Sequence, residues 1–417
     1  MQRRIGTSAR SPLAIARRIA ARNRWLLGLV QDQRRRRDED AYVRRRERLT
    51  RGAPQWLPWD DERERQRAAL ARMWAGPRRR LARPCEARLF VAAPELDNTP
   101  TFLPELARNF DGRFVNFIDS LPADRREMRS MAWRDALQRR LVDEFRDALA
   151  DGPVDLAILY VSHFECTRET LTTIRSTGVP VTVLCMDDKH SFEEREVPSG
   201  QRPLIGAASL HLTNSLECVR WYAAEGAPAY FFPEGADPEI YRPLDLPKDI
   251  DVSFVGGWYG ARRDLIANVR DNGIAVRCWG PQTEGGPISR EEMVRIFNRS
   301  WINLGFGGVR DSAKVTCLKT RDFEVPMTGN VYLTQYNFEF TDHFSIGREI
   351  LCYLNEIDLV EQLRFFLAQK DRLREIGRKA RERSARTCTW TARVEALIHW
   401  MGIAAAASDR TSVASAG

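Results

Sequence analysis

The sequence predicts an α/β protein of two doubly wound, parallel-sheet, Rossmann-like domains facing a cleft, preceded by a basic helical extension. Short, continuous apolar runs alternate with helical segments, the mark of parallel strands covered on both faces. A turn-rich linker with several prolines, PEGADPEIYRPL at 233–244, interrupts that alternation near its middle. The 417 residues suffice for more than one core at roughly 100 to 200 residues per domain. The expected division is an extension at 1–84, a first domain at 85–235, a second at 236–390, and a closing helix with a tail at 391–417.

In the first domain, RLFVA at 88–92 reads as the opening strand and runs into the loop PELDNTPT. A short strand at 114–117, an amphipathic helix at 131–149, a buried strand LAILYV at 156–161 and a helix at 167–177 follow. Apolar runs at 181–186 (VTVLCM), 210–213 and 230–232 continue the pattern. In the second domain, the strand at 252–255 leads into a Gly-rich loop with Arg262 and Arg263 opening the next helix. A strand at 274–279, a helix at 291–299 and a strand at 302–304 precede LKTRDFEVPMTGNVYLT at 318–334. That stretch reads as a charged loop, a short helix with Pro326 in its first turn, a stop at Gly329 and a strand. A late strand at 350–353, helices at 358–369 and 372–384, and a final helix at 391–401 close the fold. The Ala/Ser tail after it has the composition of a disordered segment.

Composition narrows the function. Hydrophobic residues make up 43% and charged residues 29%, as in globular proteins, and no stretch approaches the roughly 20 apolar residues of a membrane span. The net charge of +8 is concentrated at the start: residues 1–50 hold 15 Arg against 5 acidic residues, +10, which leaves −2 for everything after. Nucleic acid is therefore not the expected substrate of the folded body. The eight cysteines are scattered with no CxxC, and several lie within apolar strands. Arg17, Arg18, Arg22 and Arg24 break any signal-peptide pattern, so a reducing, cytoplasmic compartment is expected. For the extension three readings stand side by side. These are an interfacial amphipathic helix carrying Leu13, Ile15, Ile19, Trp25, Leu26 and Val30, an organellar transit peptide, and a charged helix in solvent. The first would put the protein at the inner face of an anionic membrane.

Three stretches carry chemistry. Around Lys319, Arg321 and Glu324, charges stand at a helix N-terminus beyond the carboxyl end of a strand, where open α/β sheets bind phosphates and riboses. The plainer alternative is an i, i+3 surface ion pair between Arg321 and Glu324. In GGWYGARR, Gly256 and Gly257 allow close backbone approach and Arg262 can fork onto phosphate oxygens, although the loop matches neither GxGxxG nor a P-loop. In MDDKHSF, Asp187, Asp188 and His190 at a strand end form a candidate acid/base site for an acceptor hydroxyl, with a helix cap as the alternative for Asp188. His163, after the strand at 156–161, and Glu95, Asn98 and Thr99 of the PELDNTPT loop are weaker candidates. No His/Cys/Glu cluster has metal-ligand spacing.

Taken together, GVPVTVLCMDDKHSF, PEGADPEIYRP, DVSFVGGWYGARRDLI, LKTRDFEVPMTGNVYLT, GREILCYLNEIDLVEQLRFFL and GRKARERSARTCTWTARVEAL resemble a CgeB-type, spore-maturation-protein-like glycosyltransferase, over about residues 88–397. That group is related to the GT-B transferases. The resemblance implies a nucleotide-diphosphate-sugar as co-substrate in the second domain, no resident cofactor or metal, and a final helix packing back on the first domain. It makes Glu324 similar to the carboxylate that such enzymes place on the donor ribose, and Arg262 and Lys319 similar to their diphosphate clamps. Many relatives carry two glutamates separated by seven residues, and here the earlier position is Thr316. The expected activity is transfer of a sugar to a glycan, lipid or protein acceptor. The alternative is a catalytically inactive binding or structural protein of a cell-surface layer.

Overall fold

The computed structural model describes residues 24–51, 57–94, 102–117, 130–193, 200–309, 312 and 314–405. Two parallel sheets form, as the alternation of apolar runs predicts. The first contains β1 (Arg88–Ala93), β2 (Asp111–Asn116), β3 (Leu156–Tyr160), β4 (Val181–Cys185), β5 (Leu210–Thr213) and β6 (Ala229–Phe231), in the order β2-β1-β3-β4-β5-β6. The second contains β7 (Ile250–Val255), β8 (Val276–Trp279), β9 (Ser300–Leu304), β10 (Val331–Gln335) and β11 (Leu351–Tyr353), in the order β11-β10-β9-β7-β8. In each sheet the order reverses once, between β1 and β3 and between β7 and β9, and a crevice opens at such a switch point.

The inner strands of the first sheet are nearly continuous apolar runs because helices cover both faces, whereas the edge strands β2 and β8 carry exposed polar residues. All five residues of β4 are buried, and even its Thr182 is satisfied, its hydroxyl donating to the Ala157 carbonyl at 3.0 Å. The helix Met131–Asp151 buries Leu137, Leu141, Phe145 and Ala148, a stripe at three- and four-residue spacing, and Ser130 caps it by accepting from Trp133 N at 3.1 Å. The helices Phe102–Asn109 and Leu216–Ala224 were not marked by the sequence pattern. The first carries Pro104 in its opening turn, where the missing N–H costs nothing.

The final helix, Trp390–Trp400, completes the first domain: Trp390, Val394, Leu397 and Ile398 lie in one core with Leu89, Val91 and Leu156. Glu105 of the first domain receives its free N-terminal donors, Trp390 N at 3.2 Å, Thr391 N at 2.8 Å and the Thr391 hydroxyl at 2.8 Å. The chain thus crosses between the sheets twice. The crossings lie side by side, Ala236 N donating to the Cys388 carbonyl at 2.9 Å. In the reverse direction, Glu339 of the second domain accepts from Leu216 N at 2.7 Å and the Ser215 hydroxyl at 3.1 Å, at the start of the helix Leu216–Ala224.

The described part of the extension is docked, which corrects the picture of a charged helix in solvent. Helix Arg24–Arg51 places Tyr42 against Glu217 (2.5 Å), Arg45 on the Lys189 carbonyl (2.6 Å) and Arg48 on Glu225 (2.9 Å), with Leu49 buried. It also reaches the second domain, where Ser312 donates to Glu39 at 2.7 Å. Helix Trp59–Met73 turns Gln66 onto β6, accepting from Ala229 N at 2.9 Å, and so occupies a donor of an edge strand. The interfacial and transit readings rest largely on residues before Arg24, outside the described residues. Among the described residues, no helix is long and apolar enough to cross a membrane. Seven of the eight cysteines are wholly or partly buried, Cys85 is exposed, and all are free thiols.

Candidate functional site

A cleft of about 340 Å³ opens at the carboxyl ends of β7 and β9, the switch point of the second sheet. Val255, Gly256, Gly257, Tyr259 and Arg262 line it after β7, and Leu304, Gly305 and Phe306 after β9. Lys319, Thr320, Arg321 and Glu324 form a third wall. Tyr160, Met186, Asp187 and Glu234 close it from the first domain. All six donor-site candidates from the sequence therefore line one cavity. Gly305 belongs there for steric reasons, since a Cβ on it would lie 2.1 Å from the Tyr332 hydroxyl.

The wall around Glu324 is built locally. Asp322 accepts from Lys319 N at 2.6 Å, while Phe323 N and Glu324 N donate to the Thr320 carbonyl at 3.1 and 3.0 Å, and these bonds start the helix Arg321–Met327. Pro326 is not in its first turn, as the sequence suggested, but next to its end, where the short helix has little further ladder for proline to interrupt. Arg321 and Glu324 do form an i, i+3 ion pair, but Glu324 is buried and both residues line the cleft, so the pair is not a surface one. Burial lifts the Asp322 carboxyl to about 7, against the pull of Lys319 N.

Arg262 is held by aromatic faces. Its guanidinium carbon lies 3.6 Å from the Tyr259 ring centroid, 5.8 Å from Phe254 and 6.0 Å from Phe306, and it donates to the Gly257 carbonyl at 3.2 Å. No carboxylate pairs with it among the described residues. Burial pulls its pKa below the ordinary arginine value, and the Tyr259 hydroxyl opposes that. Burial also works against the Lys319 ammonium, but Cys317 and Asp187 beside it outweigh the effect and its pKa lies above the ordinary lysine value. Two cations thus face the cavity where a diphosphate is complementary.

The three acceptor-side candidates separate. Asp187 is exposed and lines the cleft. Asp188 turns the other way into the first-domain core, where Tyr222 donates to it at 2.7 Å; burial raises its carboxyl to about 7. It does not reach the cleft, because the short helix Asp188–Ser191 begins there and points successive side chains apart. His190 is half-buried, its Nδ1 3.8 Å from Asp187 Oδ1, and it is not among the cleft-lining residues. Neither is His163. Glu95, Asn98 and Thr99 lie outside the described residues. Lys189 donates across the seam to the Thr316 carbonyl at 2.7 Å, so Thr316 serves here as a backbone acceptor.

Sequence reasoning passed over Tyr160, Glu234, Tyr259 and Tyr332. Tyr259, Tyr332 and Glu234 stood in stretches already singled out, GGWYGARR, LKTRDFEVPMTGNVYLT and PEGAD, but as neighbours of the charged residues and glycines, and Tyr160 stood in the strand LAILYV. Among the described residues, no group of three His, Cys, Asp or Glu is placed to hold a metal ion.

With this geometry in place, comparison with known proteins shows what the chain is similar to. Residues 262–399, from the helix beyond the Gly-rich loop to the final helix, match a family described as glycosyl transferase-like. The two parallel-sheet α/β domains make up a GT-B fold, with the N-terminal helices added to it. The chain is similar to a sucrose-phosphate synthase from Thermosynechococcus elongatus with TM-score 0.50 and 11% identity over 75% of this chain and 98% of that one. A glycosyltransferase from Rickettsia africae ESF-5 gives 0.49 and 8% over 76% and 98%, and Anabaena Alr3699/HepE, in complex with UDP and glucose, gives 0.49 and 9% over 75% and 99%. At such identities the likeness extends to the fold alone. No curated protein matches the sequence.

Proposed function

We propose that this protein is a glycosyltransferase, related to the CgeB-type group, that moves a sugar from a nucleotide-diphosphate-sugar to a hydroxyl of a glycan, lipid or protein acceptor without a metal ion. The observation that carries this reading is the pair Arg262 and Lys319, two cations at the carboxyl ends of the second sheet that line one cleft with Asp187 of the first domain. The family match over the same domain supports it. In the reaction the bond from the sugar's anomeric carbon to the diphosphate breaks, and the acceptor oxygen bonds to that carbon. The departing diphosphate keeps the electron pair, and Arg262 and Lys319 lie where that charge develops. Glu324, on its wall of the cleft, holds the donor ribose, with Arg321 orienting its carboxylate. The acceptor proton passes to Asp187 or to the departing phosphate oxygen.

Incubating the protein with UDP-, GDP-, ADP- and dTDP-sugars, with and without EDTA, tests this. Release of a nucleoside diphosphate unaffected by EDTA is expected, and binding without any turnover would instead favour the inactive binding protein, the reading to which Thr316 lends weight. The same proposal includes peripheral contact of the basic first 50 residues with anionic membrane. Sedimentation with phosphatidylserine vesicles should weaken with salt and disappear in a chain lacking residues 1–50.

A further inference from the structure

The first domain contributes to the cleft a side chain that the mechanism above leaves unused. Glu234 follows β6 at the start of the first crossing and is 3% exposed. Its Oε1 accepts from Asn214 Nδ2 at 3.1 Å, and the same amide donates to the Met186 carbonyl at 2.7 Å, at the end of β4. Its Oε2 is buried with no hydrogen-bond partner. The backbone on either side is packed against the final helix. Arg393 donates to the Glu234 carbonyl at 3.4 Å, and a Cβ on Gly235 would lie 2.6 Å from Trp390 N, so the chain is clamped against the final helix. A buried polar oxygen without a partner costs on the order of 1 to 3 kcal/mol. A fixed, buried, unpartnered oxygen in the wall of a ligand cleft is what a binding group looks like before its ligand arrives.

We propose that Glu234 is a ligand-binding residue of the cleft, its Oε2 making a hydrogen bond to an oxygen of the bound diphosphate-sugar. The inference rests on the glycosyltransferase reading and adds to it a first-domain contact to the donor. Burial raises the Glu234 carboxyl to about 8; Asp322 pushes in the same direction, while the Glu234 backbone N–H, Asn214 and Lys319 pull the other way. Tyr160 and Asp187 line the same cavity, and Arg393 touches only the backbone. Below that pH the group carries its proton and donates to a phosphate or hydroxyl oxygen. Above it, a carboxylate would face the diphosphate with like charge. Donor binding therefore strengthens below about pH 8 and weakens above it.

The test is calorimetry between pH 6.5 and 9.5 with two probes, the nucleoside diphosphate and the corresponding nucleotide-sugar that bind wild type best among the UDP, GDP, ADP and dTDP series. Wild type should lose affinity as the pH rises through about 8. Glu234→Gln, whose amide donates at any pH while its oxygen still accepts from Asn214, should bind as well as wild type at pH 7 with a flat profile. Glu234→Ala should bind about tenfold or more weakly at pH 7. Weakening with both probes assigns the contact to a phosphate oxygen; weakening with the nucleotide-sugar alone assigns it to a sugar hydroxyl. Glu234→Ala that binds as wild type, or Glu234→Gln that keeps the wild-type pH dependence, overturns the inference and leaves the proposed function standing. Wild type that binds neither probe in any series overturns both. The glutamine variant decides the matter even if the alanine variant does not fold.

Discussion

Replacing Glu324 tests the donor site most directly. Its carboxylate offers about four acceptor positions, one of which Arg321 fills, so it can still take ribose hydroxyls without giving up the ion pair. A hydrogen bond to a charged acceptor contributes roughly 1.5 to 3 kcal/mol, and each 1.4 kcal/mol is about tenfold in affinity. Glu324→Ala should therefore weaken nucleoside diphosphate binding on the order of 10- to 100-fold. It also leaves Arg321 without its carboxylate in a buried setting, so Glu324→Gln, which keeps the volume and one acceptor oxygen, serves as the control for folding and should lose about tenfold. Calorimetry is the assay, repeated with a 2′,3′-dideoxy analogue. If the carboxylate holds the ribose, wild type should lose affinity for the analogue and Glu324→Ala should lose none further. The reasoning is refuted if wild type binds the dideoxy analogue as tightly as the ribonucleotide, or if folded Glu324→Ala binds like wild type.

Asp187→Asn should lower turnover by about 100-fold or more, the usual worth of a positioned general base, while donor affinity in calorimetry stays within about twofold. Asp188→Asn should behave differently. The folded-state pKa of about 7 lies above the ordinary aspartate value of 3.8, so the wild-type fold is favoured below about pH 4 and loses that contribution as the pH rises through 7. Thermal melts should accordingly show the variant gaining on wild type at pH 8 relative to pH 4, with little change in turnover. Glu105→Ala removes three hydrogen bonds at the start of the final helix and should cost about 2 to 4 kcal/mol, lowering the melting temperature by several degrees, with the helix Trp390–Trp400 the first segment to exchange its amide protons.

The strands were legible because a strand buried on both faces must be largely apolar, and LAILYV, VTVLCM and VYLT are, with Thr182 and Thr334 the polar exceptions. The donor-site candidates were legible as residue types at strand ends, which is where this sheet order opens a crevice. What local pattern could not supply was direction. Asp187 and Asp188 are chemically equivalent neighbours, and it is Asp188 that meets partners in the core, the Tyr222 hydroxyl 34 residues on among them. The basic run of Arg24–Arg51 looked solvated because its partners, Glu193, Glu217 and Glu225, lie more than 140 residues away in sequence. Glu234 was invisible as chemistry for the same reason: its isolation is a property of the surrounding packing, and turn-rich sequence conceals it.

The paired crossings between the sheets limit how the cleft can open. With one covalent connection the two domains could swing in any direction, but here the segments through Ala236 and Cys388 run together and are hydrogen-bonded to each other. The halves are held as well by Glu339 at the helix Leu216–Ala224 and by Lys189 on the Thr316 carbonyl, so opening the cleft must break these bonds as well as bend both crossings. Glu234, only two residues from Ala236, belongs to the part of the cleft next to the covalent connections. A protease cut in either crossing alone would leave the domains tethered through the other.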